Sequence, residues 1–296
     1  MRADQPQHWH IGIIGGSGLA GGIALDEAQE IAVSSPFGSP SGPIITGRVG
    51  GVRFTFLARH GAGHAISPSH VNYRANIDVL KRCGVTDVLA LSAVGSLREG
   101  LAPGEFVAVD QFIDRTSGRV GSFFGQGLVA HVSLADPVCS RLSQLAAKAA
   151  VEAGARVHES GCYVAIEGPQ FSTRAESRLY RTWDCDVIGM TGMPEARLAR
   201  EAELPYAMLA MVTDYDCWRE GEQGVEADHV LEVMHANVGL ARDAVQRLAA
   251  MLPATREASP IDCALDGAII TAPSARDPAL MAQLDAVAGR LFGERH

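Results

Sequence analysis

The sequence predicts an α/β fold with one central, largely buried sheet. Three observations predict it. Short apolar runs alternate with stretches of helical spacing along most of the chain. Two of the runs, DVLALSAV at 87–94 and YAMLAMVT at 206–213, are almost continuously apolar, as a strand covered on both faces must be. Gly84 and Gly154 stand just past two of the helical stretches, where a left-handed residue closes a helix.

In chain order, residues 1–9 are polar, and HIGIIGGSG at 10–18 is a first strand running into a glycine turn. A second β-rich block includes GVRFTFLA at 51–58 and ends at Arg59-His60-Gly61. Residues 71–83 have helical spacing, with Ile77 and Leu80 on the apolar side. Strands follow at 87–94 and, as FVAVDQF, at 106–112. Residues 142–153 form an alanine-rich helix, and a strand at 161–166 leads into EGPQFST. Helix 175–183, short strand 187–190, helix 195–202 and strand 206–213 come next. Residues 228–251 make a long amphipathic helix with Val230, Leu231, Met234, Val238, Ala241, Val245 and Leu248 on its apolar face. PATREASP at 253–260 has the composition of a linker, and Asp277-Pro278 caps a last helix bearing Leu280, Leu284, Val287 and Leu291. A main domain is thus expected over 10–252, with 253–296 a linker and a C-terminal helical extension packing on the same domain. No internal repeat or low-complexity segment is present.

A chain of 296 residues is long enough for one large α/β domain or two small ones, and 47% apolar with 20% charged residues is an ordinary globular composition. A formal charge of −9 argues against nucleic acid or an acidic membrane surface as partner, but not against a small anion held by a local positive site. The six cysteines are scattered, with no CxxC pair and no His–Cys cluster at zinc spacing, so no metal is expected. MRADQPQHWH has no apolar signal core, and no apolar run is long enough to span a bilayer. A cytoplasmic protein with free thiols is the natural reading.

The run at 206–213 ends abruptly in Asp214 and Asp216, separated by Tyr215. Residues two apart on a strand point the same way. The two acids are therefore expected on one face at a strand's end, where α/β proteins place ligands. Such a pair can grip a base or a sugar, or shuttle a proton; alone, it is equally ordinary turn chemistry. Gly16-Ser17-Gly18-Leu19-Ala20-Gly21 matches GxGxxG after a strand. A dinucleotide site also needs an acid about 20 residues on, and SSPFGSPSGP at 34–43 has none. Asp26, Glu27 and Glu30 do not suit a buried crossover helix either. What remains is an anion nest of bare N–H groups with the Ser17 hydroxyl, or a plain tight turn.

Arg59 offers a planar fork suited to phosphate oxygens, and His60 adds a donor. Ser92 and Ala93 lie where the buried strand at 87–94 ends, and Thr191 follows the short strand at 187–190. Ser17, Arg59, His60, Ser92 and Thr191 thus come from the C-terminal ends of four expected strands. Such ends can converge on one crevice, and together these donors suit inorganic phosphate.

Several segments taken together resemble the trimeric purine nucleoside phosphorylase family, and most of all its 5′-methylthioadenosine branch. They are GIIGGSGL (12–19), ARHG (58–61), HVNYRANI (70–77), SAVGSLREG (92–100), DQFIDRT (110–116), IEGPQFSTRAES (166–177), MTGMPEARLAREAELPYA (190–207) and TDYDCW (213–218). The resemblance covers about residues 10–240 in order and implies a single α/β domain with a twisted, mostly parallel mixed sheet, assembled as a homotrimer. It implies phosphorolysis, in which phosphate attacks C1′ and the purine leaves; phosphate is a co-substrate and no cofactor is needed. It assigns Ser17, Arg59, His60, Ser92, Ala93 and Thr191 to phosphate. Phe171 and Ser172 fall to the base, Met190 to the ribose, and Asp214 and Asp216 to the purine. Ala227, Val230 and Leu231 fall to the 5′-substituent, while His131 reaches in from a neighbouring subunit. Ser17 and Ser92 stand where many relatives have Thr, so the hydroxyl is kept and a methyl lost.

The residues suit that chemistry. A dianion beneath C1′ stabilises oxocarbenium character and attacks it. A carboxyl near N7, the role given to Asp214 with Asp216 in support, supplies the departing purine with a proton. Two carboxylates favour a 6-aminopurine, whose amine donates, over a 6-oxopurine, whose oxygen opposes them. The expectation is phosphorolysis of 5′-methylthioadenosine in purine and methionine salvage. Alternatives are a 6-oxopurine nucleoside or methylthioinosine phosphorylase of the same family, an NAD-dependent oxidoreductase built on GSGLAG, and a non-catalytic nucleoside-binding protein.

Overall fold

The computed structural model describes residues 8–16, 19–219 and 227–292, without the side chains of residues 20, 227–232 and 235. Its strands are β1 (His10–Gly15), β2 (Asp26–Ile31), β3 (Ile44–Val49), β4 (Val52–Ala58), β5 (Asp87–Ser96), β6 (Phe106–Val109), β7 (Gln111–Asp114), β8 (Val157–His158), β9 (Cys162–Ala165), β10 (Val187–Gly189) and β11 (Tyr206–Asp214). Its helices are α1 (Tyr73–Arg82), α2 (Ser140–Glu152), α3 (Arg174–Thr182), α4 (Gly192–Glu201), α5 (Ala227–Met251), α6 (Pro278–Gln283) and α7 (Asp285–Phe292).

All eleven strands join one mixed sheet. Six of its ten ladders are parallel, among them β1 with β4, β1 with β5 and β5 with β11. The expected α/β architecture with a mostly parallel central sheet is what the chain adopts. β5 is the branch point, carrying β1, β11 and the end of β10. Its alternation explains why its sequence is apolar throughout. Val88, Ala90 and Val94 face one core, and Leu89 and Leu91 face the other. β11 repeats the pattern, with Met208, Ala210 and Val212 on the first side and Ala207, Leu209 and Met211 on the second. α2 and α5 cover the second side through Leu142, Ala146, Ala241, Val245 and Leu248. α1, α4 and α7 cover the first through Ile77, Leu80, Leu198, Val287 and Ala288.

Local chemistry sets the helix ends. Asn72 accepts from the Ala75 N–H at the start of α1, Thr173 and Glu176 form a reciprocal capping box on α3, and Asp277 caps α6. Gly84 and Gly154 have positive φ, as their position past α1 and α2 requires.

Several elements differ from the sequence expectation, and β8 has no counterpart in it. FVAVDQF is two strands, because the chain leaves β11 at Asp110 and joins β9 instead. The last helix breaks at Leu284, giving α6 and α7. DEAQEI, too polar to signal a buried element, is the edge strand β2, exposed along its whole length. It stands where a dinucleotide fold would have its crossover helix, and only a short turn at Ala20–Gly22 precedes it. Residues 253–263 are anchored by Arg256, which is buried and ion-paired with Asp87 and Asp262. Asp87 is completely buried at the start of β5 and also pairs with Arg141.

Candidate active site

β1 and β4 lie parallel and end together, at Gly15 and Ala58, beside the middle of β5. The Arg59 N–H donates to the Gly15 carbonyl at 2.9 Å, which delivers Arg59 and His60 to the tops of these strands. Ser92 lies on β5 just above that level. Thr191 reaches it by a route the sequence did not suggest. β10 runs antiparallel to β5, starting at Ser96, so its C-terminal end is directed back towards Ser92. The Ser92 and Thr191 hydroxyls meet at 3.2 Å. Convergence is therefore real for these residues, but it is not a meeting of four parallel strand ends. Tyr163 fixes Thr191, since its buried hydroxyl accepts from the Thr191 and Gly192 N–H groups at 3.1 and 3.3 Å. Ala93 is half-buried beside Met211. Ser17 lies outside the described residues.

Arg59 differs from the expected open fork. Its side chain is buried, and Glu195 takes Nε at 2.7 Å and one Nη2 hydrogen at 2.9 Å. The Leu91 carbonyl takes one Nη1 hydrogen at 3.1 Å, and the Ile14 carbonyl lies 3.5 Å from Nη2. Of five guanidinium hydrogens, about one is left for a ligand. Tyr206 donates to the same Glu195 carboxylate at 2.9 Å. Glu195 was invisible in the sequence because it meets Arg59 only through tertiary structure, 136 residues away.

His60 is buried and stacks on His64 with ring centroids 4.1 Å apart. Burial, with the Arg59 charge second, lowers its pKa to about 4, so the ring is neutral at pH 7. Nδ1 lies 2.8 Å from the Ile66 carbonyl, an acceptor that requires the proton on Nδ1. Nε2 then carries a lone pair, not the extra donor expected.

The two acids are together at the end of β11, though pleating alone does not join them. Asp214 is the last residue of the strand, and Asp216 lies in the left-handed region with φ 52°. The Asp216 N–H donates to Asp214 Oδ1 at 2.7 Å, an Asx-turn, and Thr213 Oγ1 donates to Oδ2 at 2.8 Å. The pair rests against Gly95 of β5, where a Cβ would lie 2.9 Å from Asp214 Oδ1. Asp216 is the more buried acid, and burial lifts its pKa to about 6, helped by the Asp214 charge. Ser177 Oγ has no partner at hydrogen-bond distance among the described residues, yet it stands close enough to the carboxyl to offset part of the rise.

Next to this pair, the Cys217 thiol donates to the Ser172 carbonyl at 3.1 Å, and burial raises its pKa, as befits a packed and unreactive thiol. Ser172 Oγ is buried with no protein partner among the described residues, and Phe171 is 45% exposed. Met190 lies against Gly168, where a Cβ would come within 2.5 Å of its sulfur. Ala227, Val230 and Leu231 belong to the first turns of α5, and their side chains lie outside the described residues. α5 is tied to β11 through Asn237 Nδ2, which donates to the Val212 carbonyl at 3.2 Å. His131 is exposed, on a segment bonded to the C-terminal region by its N–H to the Ala268 carbonyl at 2.9 Å. Among the described residues, no group of three His, Cys, Asp or Glu side chains is arranged to hold a metal.

Known proteins resemble the chain over nearly its whole length. The sequence profile of the Phosphorylase superfamily matches residues 10–250. An S-methyl-5′-thioadenosine phosphorylase of Cereibacter sphaeroides is 56% identical over 284 residues, 95% of this chain and 98% of the relative. The protein of the same name from Bradyrhizobium diazoefficiens is 54% identical over the same shares. The crystal structure of a methylthioadenosine phosphorylase from an Antarctic soil metagenomic library superposes with a TM-score of 0.87 at 44% identity, covering 95% of this chain and 99% of that one. A methylthioadenosine phosphorylase from Schistosoma mansoni, solved with tubercidin, gives a TM-score of 0.77 at 40% identity over 82% of this chain and 91% of that one.

Proposed function

The chain belongs to the phosphorylase superfamily, and from that premise we propose a reading of its chemistry down to single residues. It is a pentosyltransferase of the purine nucleoside phosphorylase type. It cleaves 5′-methylthioadenosine with inorganic phosphate, giving adenine and 5-methylthioribose 1-phosphate. The observation that carries the residue-level reading is that β5 serves both halves of the site. Ser92 bears the hydroxyl that meets Thr191, and Gly95, three residues on, bears the two acids. Three strand residues span about 10 Å, which leaves room for a ribose between a phosphate at Ser92 and a purine at the two acids.

Phosphate is held by the Ser92 and Thr191 hydroxyls, the remaining Arg59 hydrogen, His60 and the main chain at Ala93, with Ser17 added from the glycine turn. His60 Nε2 accepts the proton of a monoanion or becomes protonated by a dianion's field. Phosphate then stabilises the ribosyl cation and attacks C1′ from below. Phe171 and Ser172 bound the base, and Met190 bounds the ribose. The carboxyl pair stabilises the proton at N7 and accepts from the 6-amine. Asp216, whose pKa burial lifts to about 6, is ionised in the free protein at neutral pH and takes up a proton just below it, while Asp214 is oriented by Thr213 and the Asp216 N–H. Ala227, Val230 and Leu231 enclose the 5′-thiomethyl group. No cofactor takes part.

The same reading makes the protein a homotrimer in which His131 completes a neighbour's site, and its exposure supports that. It acts in the cytoplasm, in purine and methionine salvage. Among the described residues no helix is long and apolar enough to cross a membrane.

The test is purine release from methylthioadenosine, adenosine, methylthioinosine and inosine, with and without phosphate. Adenine from methylthioadenosine only when phosphate is present is the expected result. Preference for the inosine forms would overturn the carboxylate argument, and no release at all would overturn the reaction.

A further inference from the structure

We infer that Arg119 is a positioning residue, one that sets the spacing between the base loop and the ribose turn and so governs nucleoside affinity. The inference rests on the phosphorolysis reading above. Arg119 comes from the long loop between β7 and α2, yet its side chain is 1% exposed. Its ion pair with Glu167, at 3.3 Å, is among its longer contacts. The short ones go to main-chain carbonyls, of Met190 at 2.5 Å, Glu167 at 2.6 Å and Met193 at 2.8 Å. It also donates to the Tyr73 hydroxyl at 3.0 Å.

These carbonyls belong to two different segments. Glu167 leads into Phe171 and Ser172, while Met190 and Met193 flank Thr191. The segments emerge side by side from the parallel pair β9 and β10, whose last ladder bond is the Ile166 N–H to the Gly189 carbonyl at 2.9 Å. Beyond that point Arg119 bonds to both of them. Its planar fork of five donors can satisfy diverging carbonyls at once, which a lysine cannot. The spacing it fixes is tight, since Gly168 leaves no room for a Cβ against the Met190 sulfur. Loosening it changes where base and ribose sit. Thr191, though flanked by Met190 and Met193, keeps its own anchors in the Tyr163 hydroxyl and Ser92, and Arg119→Lys keeps the positive charge that His60 feels, so the phosphate side is disturbed less.

The test is steady-state kinetics of wild type, Arg119→Lys and Arg119→Ala, with KM for methylthioadenosine and for phosphate measured separately and melting followed by circular dichroism. Losing these charge-assisted bonds is expected to raise the nucleoside KM about 10- to 100-fold, with the phosphate KM within about threefold. Guanidinium ion added to Arg119→Ala should recover part of the nucleoside KM, which a purely structural role would not give. Equal losses for both substrates, or unchanged constants in a merely less stable protein, would overturn the inference. If the Arg119 variants do not fold, Tyr73→Phe removes one acceptor and should show the same split at about threefold; unchanged constants there would overturn it too. Wild type inert towards every nucleoside would overturn the functional reading and this inference with it. Active wild type with equal losses in the variants would overturn this inference alone.

Discussion

Replacing Asp216 with Asn is expected to make the protein more stable at pH 7.5 and less active. Asp216 is buried, and burial is the main reason its pKa stands at about 6 rather than 3.8. An acid with a raised pKa binds its proton more tightly in the folded than in the unfolded chain. The folded state therefore holds more protons between about pH 4 and 6, and stability falls as pH rises through that window. Above pH 6 the full penalty stands, about two pH units at 1.36 kcal/mol each, or about 3 kcal/mol. Asn does not ionise and escapes it. Asn also tolerates the left-handed backbone found at this position, with φ 52°. At 2–4 °C per kcal/mol, the variant should melt about 6–12 °C higher at pH 7.5. The gain should shrink through pH 6 and 5 and be gone near pH 4. Calorimetry across this range, with purine release measured at pH 7.5, is the assay. A variant that melts at or below wild type at pH 7.5, or whose gain ignores pH, would refute the assignment of the raised pKa to Asp216.

Three further outcomes are expected. Asp214→Asn should lower turnover of methylthioadenosine about 10²- to 10⁴-fold while phosphate binding, followed by calorimetry, changes little; undiminished turnover would remove Asp214 from the proton-support role. Glu195→Gln takes an anion from the far side of Arg59. With the guanidinium between them, that anion and a bound phosphate are about 8 Å apart, and at an effective dielectric of about 20 the lost repulsion is about 2 kcal/mol, up to about 30-fold in phosphate affinity. The same variant should unfold more easily, because one partner of a buried pair is left uncompensated; weaker phosphate binding in protein that remains folded would show that Arg59 does not face phosphate. Phosphate binding at about pH 8, where free phosphate is already the dianion, should take up protons, because His60, neutral in the free protein with a pKa of about 4, is pushed towards its cation by that dianion. Calorimetry in two buffers of different ionisation enthalpy reads this directly, and identical heats would rule it out.

The framework was legible because its central strands are buried on both faces and announce themselves as unbroken apolar runs. β5 and β11 were read within two residues of their ends. The periphery was not. β2 is an exposed edge whose charges protect it from pairing with another chain, and nothing in DEAQEI distinguishes it from a loop. FVAVDQF looks like one strand because the change of partner at Asp110 is a property of the sheet, not of the segment. Among the candidate site residues, those at strand ends can be picked out from sequence, since an abrupt polar residue after an apolar run is a local signal. Glu195, Tyr163 and Arg119 were not found. Each works through groups remote in sequence, and no local pattern marks a buried arginine that holds carbonyls. The i, i+2 spacing of the two acids led to the right neighbours by the wrong geometry, an Asx-turn in place of a pleat.

The ion pair beneath β5 bears on how the molecule is made. Asp87 is fully buried, and its innermost partner, Arg256, follows 169 residues later. On a ribosome, the strand that becomes the middle of the sheet is finished while that counter-charge is still unmade. Arg141 can neutralise the carboxylate in the interval, but it remains 22% exposed and does not seal it from water. Closing the native interior before residue 256 has emerged leaves that carboxylate without its innermost counter-charge, at a cost of about 3–5 kcal/mol. That cost favours completing this sheet late in biosynthesis, and until then the nascent chain carries exposed apolar strands that need shielding.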